Sequence, residues 1–125
     1  MSKIAEEISK LRNFMMLDRL LERHQVARAA AVAAGALPVP ASKADLDYAQ
    51  RIALLQFFNA TEGFAFYFNA GAFDDGHTSL LKPFLYDECT GLIGHLYLLG
   101  ENFDADDFNE MKLIAEKAAK EKQAA

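Results

Sequence analysis

Three histidines and one cysteine are the side chains best suited to chemistry in this sequence: His24, His77, His95 and Cys89. Their spacing matches no common metal motif, such as His-Glu-x-x-His or paired Cys-x-x-Cys. His95 follows Glu88 by seven residues, which is two turns along one face of a helix. A metalloenzyme would require the segment around residue 24 to bring His24 to Glu88 and His95. The simpler interpretation is that these imidazoles are partly buried and hydrogen-bonded, so the sequence predicts no metal site.

Nucleophilic catalysis has equally little support. Cys89 follows Asp87 and Glu88, whose negative charges raise the pKa of a thiol and disfavour the reactive thiolate. The sequence contains no Gly-x-Ser-x-Gly elbow, phosphate-binding glycine loop or dinucleotide fingerprint. We therefore expect no enzymatic activity, no catalytic residue and no cofactor. A single cysteine also excludes an internal disulfide and is typical of a reducing compartment, so we expect a cytoplasmic protein.

Acidic residues gather after the third predicted helix. Their spacing lacks the pattern of a calcium-binding loop, and aspartates at a helix start commonly cap its amides. The alternative is a docking surface for a basic protein partner. The net charge of −5 argues against binding to nucleic acid or to an anionic membrane, each of which needs a basic face. The acidic docking candidates are Glu101, Asp104, Asp106, Asp107 and Glu110.

The elements that would position these residues are helices. Glycine and proline cluster around residues 35–40, 71–76 and 100–102, and between these clusters apolar residues recur every three or four positions. The short connections favour antiparallel neighbours. The sequence predicts one all-α domain over residues 1–125, an up-down bundle of about four helices. Their approximate bounds are 3–34, 43–70, 79–99 and 105–119.

Local signals predict where two of these helices begin. Ser42, with Asp45 three residues later, is a variant of the capping box and predicts the start of helix two. Thr78 or Ser79 predicts the start of helix three, because Pro83 is then confined to the first turn.

Seven aromatic residues lie between positions 57 and 73, and apolar side chains cover most of the circumference of helix two. Such a helix lies at the centre of a bundle or at an interface. A strand over residues 64–68 is the minority interpretation, since aromatic residues favour strands. The aromatic residues could also line a pocket for a small apolar ligand between helices two and three. The candidate pocket residues are Phe66, Tyr67, Tyr97 and His95.

Helix one is the unusual element, because 32 helical residues span about 48 Å, more than a four-helix domain of this size needs. We expect it to bend or to protrude and pack on another subunit. Its apolar residues repeat with a period near 3.5, as in helices that pair over many turns. We therefore predict a non-enzymatic interaction module that binds a protein partner, with a homo-oligomer as the simplest case. The predicted contact residues are Ile4, Ile8, Leu11, Phe14, Leu17, Leu21, His24 and Arg28.

Overall fold

The computed structural model describes residues 3–38 and 46–124, and this part of the chain forms an all-α bundle with a long N-terminal helix, as predicted. Two 3₁₀ turns, Leu96–Leu99 and Ala105–Phe108, connect the third and fourth helices. The described residues contain no strand, so residues 64–68 are helical. No helix among them is both long enough and apolar enough to cross a membrane. The helices are α1 (Lys3–Ala33), α2 (Tyr48–Asn69), α3 (Asp75–Ile93) and α4 (Asn109–Ala124).

The end of α1 is joined to the start of α2. Gly35 has a φ of +82°, a left-handed conformation that glycine adopts without strain just after a helix end. The Gln50 side chain donates a hydrogen bond of 3.0 Å to the carbonyl oxygen of Ala34. The first turn of α2 is thereby tied to the last turn of α1, and the two helices run antiparallel.

Helix α2 begins later than predicted. The Asp47 carboxylate accepts a 2.8 Å hydrogen bond from the Gln50 amide, and the Gln50 side chain accepts one of 2.8 Å from the Asp47 amide. This reciprocal capping box fixes the helix start at Tyr48, not at residue 43. Ser42 and Asp45, the predicted capping pair, lie outside the described residues.

Helix α3 begins earlier than predicted. Asp74 is the N-cap, and its carboxylate accepts a 2.7 Å hydrogen bond from the His77 amide. This cap competes successfully with the downstream threonine and serine, so the helix starts at Asp75, four residues before Ser79. The placement of Pro83 in the first turn was therefore wrong, because Pro83 lies inside the helix.

The connection between α3 and α4 also differs from prediction. Helix α3 ends at Ile93, and Leu96–Leu99 form a separate 3₁₀ turn where a continuous helix to residue 99 was expected. Two glycines near this end lower the helical propensity. Asp104 caps the 3₁₀ turn that leads into α4, as the acidic cluster predicted. Helix α4 then continues to Ala124, past the predicted end at residue 119.

Helix α2 lies at the centre of the bundle and contributes to both groups of buried residues. Phe58 packs against Phe108 of the turn before α4, with ring centroids 5.2 Å apart. Phe64 packs against Phe73, with centroids 6.1 Å apart, in a second group that includes residues of α1 and α3. Most of the aromatic cluster is thus core, and burial of its rings is a major source of stability. The fully buried large side chains are Phe57, Phe58, Phe64, Phe108, Leu54, Leu85, Leu98, Met111 and Ile114.

The start of α4 is held by two side chains of α2. The Glu62 carboxylate accepts hydrogen bonds from the amides of Glu110 (3.0 Å) and Met111 (2.9 Å). Asn69 donates to both the carbonyl and the carboxylate of Glu110. A carboxylate at a helix start satisfies unpaired amides and complements the helix dipole, so this contact docks α4 on α2.

Candidate functional site

Helix α1 has two apolar faces that point in opposite directions. At about 100° per residue, the buried positions Leu17, Leu20 and His24 lie on the side that faces α2 and α3. A second set of apolar residues, four or three positions apart, lies on the opposite side, away from the bundle. We call this set the outer stripe: Ile4, Ile8, Leu11 and Met15.

The outer stripe is exposed along its whole length. The exposed fractions are 74% for Ile4, 48% for Ile8, 60% for Leu11 and 49% for Met15. It extends over about 17 Å along the helix axis. Apolar residues scattered singly on a surface need no explanation, but four aligned on one helix face form a continuous apolar strip.

The outer stripe ends at Met15, at the end of the stripe nearer the bundle. The next positions on the same helical line after Met15 are Asp18, Glu22 and Gln25, all of them exposed. Two carboxylates thus follow the four apolar residues, so an apolar contact on this face ends near Met15.

The predicted contact surface of α1 divides into two parts in the structure. Leu17 and His24 are buried inside the chain, and Leu21 packs half-buried against the same core. An aspartate at Leu17 would therefore disturb folding before it reported on self-association. Arg28 is exposed, and its guanidinium lies 4.0 Å from the Glu88 carboxylate. The contact residues left free for a partner are Ile4, Ile8, Leu11 and Phe14, joined by Met15.

Phe14 lies between the two faces of α1. Its ring is 57% exposed, and its centroid is 6.3 Å from that of His77 at the start of α3. The His77 ring in turn bonds the Asp74 carboxylate at 2.8 Å. Phe14 therefore marks the point where α1 leaves the bundle.

His24 occupies a pocket of aromatic rings. Its ring centroid lies 5.0 Å from Phe57, 5.3 Å from Phe84 and 6.3 Å from Phe64. Its Nε2 atom is buried without a hydrogen-bond partner and lies 4.0 Å from the Glu88 carboxylate. Burial lowers the pKa of His24 to about 4, and the nearby Arg28 charge acts in the same direction. Neutral His24 therefore behaves as part of the core at neutral pH.

A metal site would need His24, Glu88 and His95 to meet at one point, and the structure brings them together only in part. Glu88 lies near His24, and Glu88 and His95 both line a cavity of 480 Å³ between the ends of α1 and α3. The described residues contain no group of three or more histidine, cysteine or acidic side chains that could hold an ion. Cys89 is buried, and burial followed by the Glu88 charge raises its pKa to about 12, which disfavours the thiolate.

The four candidate pocket residues lie in two separate pairs. Phe66 and Tyr67 contact each other near the end of α2, with ring centroids 5.3 Å apart. His95 and Tyr97 contact each other after the end of α3, with centroids 5.9 Å apart. Because α3 separates these pairs by about 20 Å or more, the four side chains do not line one pocket. Phe66, Tyr67 and Tyr97 are also exposed.

Most of the acidic cluster is engaged in local contacts. Asp104 caps the 3₁₀ turn, and the Asp107 carboxylate accepts a 2.9 Å hydrogen bond from the Asp104 amide. Asp106 forms an ion pair of 3.2 Å with Lys112, and Glu110 binds Asn69. Glu101 is exposed in the loop before them. The contacts of Asp104 and Asp107 are the capping roles that aspartates at a helix start favour.

The chain matches no protein-family model, no curated protein and no solved structure. Among the sites considered, the outer stripe combines exposed apolar side chains with regular spacing on a rigid helix.

Proposed function

We propose that this protein is a cytoplasmic, non-enzymatic interaction module that self-associates through the outer stripe of α1. The observation that supports this is the position of the stripe, on the side of α1 opposite its buried face. A second copy can cover the stripe without displacing any contact of the bundle. Removal of this apolar surface from water then drives association.

The size of the stripe sets the expected strength of association. Four exposed apolar residues per copy form an interface smaller than the roughly 1,200–2,000 Å² buried in most stable complexes. We therefore expect a dimer that forms over the micromolar concentration range and dissociates on dilution.

The test is sedimentation equilibrium of the untagged protein over a wide concentration range. The wild-type chain should change from monomer to dimer, and the double variant Ile8→Asp/Leu11→Asp should remain monomeric. Both residues are exposed, so the circular dichroism spectrum and thermal unfolding of the double variant should match those of the wild type.

Leu80 provides the matched control. It is 76% exposed on α3, so Leu80→Asp makes the same chemical change away from the stripe and should leave dimerisation intact. A wild-type chain that stays monomeric at its highest soluble concentration would exclude the proposed function. Dimerisation that persists in Ile8→Asp/Leu11→Asp would exclude the outer stripe as the contact.

A further inference from the structure

The spacing of the outer stripe has the form of two coiled-coil heptads. Intervals of four, three and four residues place Ile4 and Leu11 at d positions and Ile8 and Met15 at a positions. Ile8 at a and Leu11 at d match the combination that favours two strands over three or four in parallel coiled coils. This inference rests on the proposed function and adds the orientation and register of the partner helix. We propose that two copies pair their α1 helices side by side in the same direction and in register.

The residues that flank the outer stripe favour this orientation. In a parallel pair, each g position lies beside the e position five residues later in the other helix. Glu7 at g would then face Arg12 of the second copy, and Phe14 at g would face Arg19 of the second copy. The first contact is an ion pair, and the second places a guanidinium against an aromatic ring. Because the pair is symmetric, each of these contacts occurs twice.

The antiparallel alternative lacks these contacts. To bury the same four apolar residues, position 4 must align with position 15 of the other helix. In that arrangement e positions meet e positions and g positions meet g positions. Arg12 then lies beside Ala5, and Glu7 lies beside Phe14, so no opposite charges meet. The apolar contacts are similar in both orientations, and the contacts of Glu7 and Phe14 with arginines of the second copy are those that favour the parallel one.

The rest of α1 explains why the pairing is short. Asp18 and Glu22 occupy the next d and a positions after Met15. In a parallel pair each would face its own counterpart, and like charges at these positions repel. The contact therefore ends where the bundle begins. The two bundles lie on the far sides of the paired helices, because their packing faces point away from the outer stripe.

Disulfide trapping tests the orientation directly. In a parallel pair, an Ile4→Cys variant places its thiol beside that of the second copy, and mild oxidation should link the dimer covalently. In an antiparallel pair the two thiols are about 16 Å apart and do not join. The native Cys89 does not interfere, since it is fully buried. Ser9→Cys, exposed on another side of α1, is the control for random collision and should remain unlinked.

A mixture of Ile4→Cys and Met15→Cys chains supplies the opposing test. Efficient 4-to-15 linkage with little 4-to-4 linkage would overturn the parallel arrangement while the proposed self-association stands. A wild-type chain that stays monomeric in sedimentation would overturn both. Parallel pairing predicts 4-to-4 and 15-to-15 products with few mixed ones.

Charge exchange gives an independent readout. Arg12→Glu should weaken the dimer about three- to tenfold, because two ion pairs become like-charge contacts. Glu7→Arg combined with Arg12→Glu should restore most of the affinity, since the exchanged charges again face each other across the interface. Glu7 and Arg12 are five residues apart and are not neighbours on one helix, so recovery reports on a contact between the two copies. Failure of the double variant to recover would also overturn the parallel arrangement.

Discussion

The imidazole Nε2 of His24 lies 4.0 Å from the Glu88 carboxylate, inside the protein and without a hydrogen bond to it. Helices α1 and α3 carry these two residues, and phenylalanine rings surround the imidazole. A neutral imidazole is compatible with this environment, but a protonated one must place a charge among the rings. The structure therefore links the protonation of His24 to the stability of the fold.

Acid should destabilise the protein through His24. Its pKa is about 4 in the folded chain and 6.5 without the fold, so the unfolded chain binds more protons between these values. The free energy of unfolding should therefore be fully retained above pH 6.5 and fall by about 3 kcal/mol as the pH decreases to 4. Burial raises the pKa of Glu88, whose protonation in acid favours the folded state and offsets part of this loss. Urea unfolding at several pH values measures the slope.

A variant separates His24 from the other titrating groups. His24→Phe keeps a ring of similar shape and removes the proton-binding site, so the slope between pH 6.5 and 4 should become much shallower. His95→Phe, which changes a histidine outside the phenylalanine pocket, should leave the slope in place. An unchanged slope in His24→Phe would assign the effect to another group.

The aromatic residues of α2 should differ strongly in their contribution to stability. Phe64 is fully buried, so Phe64→Ala leaves a cavity and should lower the free energy of unfolding by about 3–5 kcal/mol. The Phe66 ring is half-exposed, and Phe66→Ala should cost less than about 1 kcal/mol. Denaturant titrations of the two variants make this comparison. Similar losses would contradict the burial pattern of α2.

The contact from Glu62 to α4 should contribute measurably to folding. Glu62→Ala leaves the part-buried amides of Glu110 and Met111 without their acceptor and should cost about 2 kcal/mol. Glu62→Gln keeps one acceptor oxygen and should cost about half as much. Hydrogen exchange should show faster exchange of these two amides in Glu62→Ala. If both variants unfold like the wild type, the contact contributes no net stability.

Replacing the acidic end of the outer stripe should strengthen self-association. Asp18→Leu combined with Glu22→Leu adds one apolar heptad on an exposed helix face, so a parallel dimer should tighten about tenfold or more. Sedimentation measures the shift. Asp75→Leu, at an exposed acidic residue of α3, controls for a general increase in apolar surface. If Asp75→Leu strengthened self-association equally, the gain would not come from a specific contact along the outer stripe.

Cys89 should be unreactive in the folded protein. It is fully buried and its pKa is raised to about 12, so both access and thiolate formation are disfavoured. An aromatic disulfide reagent should label it only after unfolding in denaturant, at the rate of an exposed thiol. Rapid labelling of the native chain would show that α3 opens around this residue.

The helices themselves follow from local features of the sequence. The three- and four-residue spacing of apolar positions predicts helical segments, and the glycine and proline clusters separate them. Helix starts were harder to predict because neighbouring residues compete as caps. Asp74 precedes Thr78 and Ser79, and all three side chains can accept a hydrogen bond from a helix amide. The choice of Asp74 is stabilised by its contacts with both the amide and the ring of His77.

In helix α1, the sequence predicts the spacing of the apolar residues, and packing in the folded chain selects the face that is buried. The spacing of Ile4, Ile8, Leu11 and Met15 was visible in the sequence, as was the spacing of the residues around Leu17. Periodicity defines which residues share a face, but it carries no information on which face meets another helix. Packing against α2 and α3 buries one face and leaves the other exposed, because both helices contact the same side of α1. The same reason holds for His24 and Glu88, which lie on separate helices and meet only when the bundle forms.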